Sequence, residues 1–90
     1  MPTWTVRVEG RVQGVGYRAY VVEKAELLSI TGEVWNTLDG AVAAILCHES
    51  PEILERLLTY LEMGPGRVEA ITMTPRSEEF SGEGFSVTWR

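Results

Sequence analysis

The chain has 90 residues, 44% of them hydrophobic, enough for one domain spanning 1–90 to bury its own core without disulfides or a metal. Eight basic against thirteen acidic residues leave a net charge of −5, which argues against nucleic acid as a partner, because that affinity comes mainly from Lys and Arg neutralising phosphates. No apolar run approaches the ~20 residues needed to cross a bilayer and no basic-then-apolar leader opens the sequence, so a cytoplasmic protein with no membrane partner is expected.

Trp4 to Glu9 alternates apolar and polar, the period of a half-buried strand, and Gly10 is expected to end it. From Tyr17 to Leu28 the residues Tyr17, Val21, Ala25 and Leu28 recur at helical spacing, with Glu23, Lys24 and Glu26 placed for solvent. Ile30 to Thr37 reads as a second strand. Asp39-Gly40 then signals a hairpin, so Ala41 to His48 should return antiparallel. Ser50-Pro51 opens a second helix, Ser as N-cap and Pro at its first position, with Glu52 beside the positive end of the dipole. Its stripe of Ile53, Leu54, Leu57, Leu58 and Leu61 is core, and Gly64-Pro65-Gly66 stops it. Val68 to Thr74 is a strand, Arg76 to Gly84 is polar and turn-rich, and Phe85 to Trp89 is a last short strand.

This order, βαββαβ with an extra short C-terminal strand, predicts an α+β, ferredoxin-like split βαβ sandwich: an antiparallel sheet with two helices on one face. The other face is free to carry Trp4, Trp35 or Trp89.

The chemistry sits between the first strand and the first helix, in Val12-Gln13-Gly14-Val15-Gly16-Tyr17-Arg18-Ala19. Gly14 and Gly16 allow positive φ and close backbone approach, so several N–H groups can converge on one concavity. The helix points its positive end there, and Arg18 adds a permanent charge with a planar fork that matches two phosphate oxygens. Together these make a site for a phosphate-sized anion. The overall acidity does not oppose it, because local donors outweigh a screened distant surface. The G-x-G-x-x-A match within this segment is not a dinucleotide site, since the chain is too short and the strand order wrong, and no Lys-Ser/Thr pair completes a Walker loop.

Other residues read more plainly. Cys47, the single cysteine, is a strand residue of the core or edge, and Cys47-His48 alone cannot complete a metal site. His48 reads as a surface or cap residue, and Arg67 and Arg76 as solvated loop charges. Asn36, taken alone, is a turn-side residue before Asp39-Gly40.

Two segments together resemble the signatures of the acylphosphatase family. The first is Gly10-Arg11-Val12-Gln13-Gly14-Val15-Gly16-Tyr17-Arg18, similar to G-x-V-Q-G-V-x-[FY]-R; the second is Gly32-Glu33-Val34-Trp35-Asn36, similar to G-x-V-x-N and followed by the Asp39-Gly40 turn. The resemblance covers nearly the whole chain. It implies hydrolysis of a small-molecule acyl phosphate to a carboxylate and inorganic phosphate, with phosphate as product or inhibitor, no cofactor, no metal and no covalent intermediate. By the same resemblance, Arg18 and the backbone N–H groups of Gln13, Gly14, Val15 and Gly16 bind the phosphoryl group, and Asn36 holds the attacking water. A monomer is expected. The runner-up reading is a non-catalytic phosphate or acyl-phosphate binding module, related to the N-terminal domain of carbamoyl-transferring maturation proteins; an RNA-binding sheet lacks its basic rim.

The chain departs from the family pattern at Glu33, where an aromatic residue is common, and at Trp35, where a basic or polar one is. Strand alternation places Asn36, Val34 and Gly32 on one face and Trp35 and Glu33 on the other, so Trp35 is expected to pack rather than react.

Overall fold

The computed structural model describes residues 1–90. The elements follow the sequence in order: β1 (Thr3–Arg11), α1 (Tyr17–Leu27), β2 (Thr31–Asn36), β3 (Val42–Cys47), α2 (Pro51–Glu62), β4 (Arg67–Arg76) and β5 (Phe85–Val87). The sheet order is β4-β1-β3-β2-β5. β1 lies antiparallel between β3 and β4, and β3 returns antiparallel on β2. This is the ferredoxin-like interleaving of two βαβ units. The terminal strand differs in direction: β5 joins β2 in parallel, pairing Gly32 with Phe85 and Val34 with Val87, so the whole sheet is mixed.

Alternation decides what each strand buries. Val6 and Val8 of β1, Val34 of β2 and Val42, Ala44 and Leu46 of β3 face the helices and form the core with Leu57 and Leu61 of α2. Trp4 shares the side of Val6 and Val8 and packs beside Leu54 and Leu58, so it does not lie on the open face. Of the three tryptophans only Trp35 does.

Gly10 does not end β1. The strand continues to Arg11 through a register shift at Glu9/Gly10. Gly10 holds φ 134°, and a Cβ there would stand 2.0 Å from the Arg67 carbonyl oxygen, so the glycine permits a bulge and a close approach to β4.

The helices meet through two tyrosines. Tyr17 Oη donates to Leu61 O and Tyr20 Oη to Tyr60 O, both at 2.7 Å, adding a side-chain donor to two carbonyls of the last turn of α2. Burial holds the Tyr17 hydroxyl well above the usual phenol range, so it remains a donor. Lys24 sits over the rings of Tyr20 and Tyr60, 5.4 and 5.0 Å from their centroids. At the start of α2, Ser50 accepts from the Ile53 N–H as the cap expected of it.

Gly32 is the tightest point of the sheet. Its φ is 153°, and a Cβ there would stand 1.8 Å from Ile45 O and 2.9 Å from Phe85 Cε2. Gly32→Ala must therefore push β2 off β3 and β5. The expected cost is ~2–3 kcal/mol, the upper range for overpacking, which lowers the melting temperature of a domain this size by roughly 10 °C or more. A thermal unfolding curve superimposable on the parent would contradict this account of the glycine.

Candidate active site

The segment between β1 and α1 turns on Gly14 and Gly16, at φ 74° and 82°, and neither glycine would meet any atom through an added Cβ. They are present for their backbone angles. Gly16 is the N-cap of α1 in the left-handed conformation, without a capping side chain. The helix begins with Tyr20 N–H donating to Gly16 O at 3.1 Å. The backbone N–H groups of Gln13, Gly14, Val15 and Gly16 donate to no group of the chain. The loop therefore leaves four donors unspent beside the positive end of a helix.

Arg18 stands in the first turn of that helix. None of the six ion pairs involves it, and its Nη1 is buried with no hydrogen-bond partner. Its guanidinium carbon lies 4.5 Å from the centroid of the Trp89 ring. Gly14, Gly16, Arg18, Val87 and Trp89 line one cleft of ≈ 300 Å³.

Asn36 is the last residue of β2 and shares the helix-side face with Val34, which is fully buried. Its Oδ1 is buried without a partner. A buried carbonyl oxygen without a hydrogen bond is costly, and this one keeps its acceptor capacity free. Trp35 and Glu33 point to the opposite face, as alternation requires.

The Gln13 side chain ties the two halves of the site together. Its Nε2 donates to Thr37 O at 2.8 Å and to Ala41 O at 2.7 Å, so the loop is fastened to the β2–β3 hairpin one residue beyond Asn36. The amide nitrogen is thus spent on the hairpin, while the backbone N–H of Gln13 stays without an acceptor in the chain. Gln13→Ala loses both bonds, with an expected cost of ~1–2 kcal/mol and a parallel fall in activity as the loop drifts from Asn36. Unchanged melting and unchanged turnover would show that the tie carries nothing.

A second tie holds the hairpin from the open face. Arg7 Nη2 lies 2.6 Å from Asp39 Oδ2, and the Thr37 hydroxyl also donates to Asp39. The Arg7 hydrogen bond first, and that of Thr37 second, hold the Asp39 carboxyl down to about 2. A carboxylate depressed on folding stabilises the protein above its unfolded value near ~3.9, and that contribution is lost as pH falls through the folded value. Acid unfolding between about pH 4 and 2 should therefore be less steep in Asp39→Asn than in the parent. The difference should shrink in high salt, because the pair is exposed. Equal acid profiles at low salt would contradict the assignment.

The remaining candidates have ordinary roles. Cys47 is buried and accepts from Thr3 Oγ1 at 3.6 Å. His48 Nδ1 accepts from the Ser50 N–H, helping to shape the entry to α2. Arg76 pairs with Glu78, and Arg67 is exposed at the start of β4. No group of three or more His, Cys, Asp or Glu side chains is arranged to hold a metal ion, and no helix is long and apolar enough to cross a membrane.

Fold and loop together define a class: ferredoxin-like α+β domains with a glycine-rich loop that presents backbone amides between the first strand and first helix. Residues 4–87 match the acylphosphatase family model, and the chain belongs to the acylphosphatase family. It is 40% identical over 88 residues to an acylphosphatase from Cupriavidus necator, covering 96% of this chain and 95% of that one. Its structure is similar to the crystal structure of acylphosphatase from Bacillus subtilis, with TM-score 0.89 and 28% identity over 98% of this chain and 99% of that one. The fold alone is shared with HypF of T. kodakarensis, with TM-score 0.83 and 22% identity, where all of this chain matches 12% of the larger protein.

Proposed function

We propose that residues 1–90 act as one domain that hydrolyses the carboxyl-phosphate bond of small acyl phosphates, giving a carboxylate and inorganic phosphate. The observation that carries this reading is a set of unspent donors: the N–H groups of Gln13 to Gly16, of which Gly14 and Gly16 line the cleft, and the buried, unpartnered Nη1 of Arg18, which lines it too. These receive the three non-bridging oxygens of the phosphoryl group. Asn36 orients the attacking water, its Oδ1 accepting a hydrogen bond from the water and its amide nitrogen able to donate one.

An acyl phosphate already carries a good leaving group. Transfer through a loose transition state needs mainly positioning and charge stabilisation, which this site offers, rather than a strong general acid. The water oxygen bonds to phosphorus as the bond from phosphorus to the acyl oxygen breaks. The bonding pair leaves with the carboxylate, and the water's proton is released to the phosphate or solvent. The scheme uses no cofactor and no metal. Inorganic phosphate, which fits the same donors, acts as a competitive inhibitor, and the protein works as a cytoplasmic monomer.

Hydrolysis in ¹⁸O-labelled water tests the scheme. The label should appear in inorganic phosphate and be absent from the carboxylate. Label in the carboxylate would mean attack at the acyl carbon and would contradict it. Tight phosphate binding with no turnover of any acyl phosphate would favour a binding module instead.

A further inference from the structure

Arg18 is held from the side as well as presented by its helix. The Trp89 ring stacked on it is 78% exposed, so burial alone does not explain where the indole sits. The backbone beside it is tied. Thr88 N–H donates to Val34 O at 2.8 Å, and alternation past β5 sends Trp89 to the helix side and Arg90 to the opposite face. There the Arg90 guanidinium lies 3.8 Å from the Trp35 ring centroid and pairs with the Glu33 carboxylate.

We propose that Glu33, Trp35 and Arg90 form a clamp that holds Trp89 against Arg18, making Trp89 a positioning residue for the guanidinium. The inference rests on reading Arg18 as the phosphoryl-binding group. A long arginine side chain has many rotamers and must be confined to aim its fork. A carboxylate partner would do so at the expense of the charge and the in-plane N–H donors. An aromatic face engages the cation through its π surface and leaves every in-plane donor for the ligand, in keeping with the unpartnered Nη1.

The test compares benzoyl phosphate hydrolysis with competitive inhibition by inorganic phosphate, in variants whose fold is checked by circular dichroism. Trp89→Leu should raise KM and the phosphate inhibition constant by the same factor, roughly 3- to 5-fold, the size of a partly exposed cation–π contact. Trp89→Phe, which keeps a π face, should recover most of that loss. Glu33→Gln and Arg90→Gln lie away from the cleft, yet each should raise the phosphate inhibition constant about 2-fold. Their double variant should be no worse than the weaker single.

A Trp89→Leu effect on benzoyl phosphate but not on inorganic phosphate would place the indole against the acyl group and overturn the proposal. Clamp variants with the parent's inhibition constants would overturn the clamp. Arg18→Ala serves as the control: full activity there would bring down the functional reading itself, whereas its loss beside an unaffected Trp89→Leu would bring down this inference alone.

Discussion

Arg18→Ala is expected to lower kcat/KM for an acyl phosphate by at least ~10²-fold, the loss associated with removing one donor aimed at developing transition-state charge. Three features converge on this residue. It sits in the first turn of α1, beside loop amides that donate to nothing in the chain. It makes no ion pair, so its charge is not consumed elsewhere. Its Nη1 is buried and unpartnered, a cost the fold carries without any structural return. Arg18→Lys should recover little, because a point charge cannot reproduce the planar fork, nor stack flat on Trp89. Phosphate inhibition should weaken in both variants. Near-parental kinetics in Arg18→Ala would remove the central residue of the site.

Asn36→Ala should behave differently. Turnover is expected to fall by about 10²-fold, comparable to other lost positioning groups, while the phosphate inhibition constant stays close to the parent's. The side chain lies on the helix-side face at the end of β2 with Oδ1 buried and unpartnered, and the loop proposed to bind phosphate is fastened one residue away through Gln13 and Thr37. In the proposed scheme an amide there aligns water without being needed to grip phosphate. The stability of the variant should change little, since that oxygen makes no bond within the chain. A variant that lost phosphate affinity but kept turnover would reverse the roles of Asn36 and Arg18.

The glycine turn between β1 and α1 was legible from sequence because its parts are local: a strand period, two glycines, a helix period and an arginine in the first turn, all within a few residues. The element order was legible for the same reason, since periodicity and turn residues act over short range. Gly10 shows the limit. A glycine after an alternating run reads as a stop, but its effect depends on which strand lies alongside, and β4 begins 57 residues later at Arg67. Gln13 shows another. Its side chain reaches across 24 and 28 residues to the hairpin, and no local pattern says which turn a side-chain amide will meet. Trp89 and Arg90 became meaningful only once β5 was seen to run parallel to β2, which carries one to Arg18 and the other to Glu33.

The measurement that tests the account most directly is hydrolysis of benzoyl phosphate by the purified protein, with and without a strong chelator. The account predicts fast release of inorganic phosphate at the same rate in both. No turnover by a well-folded protein, or turnover abolished by chelator and restored by a divalent cation, would contradict it.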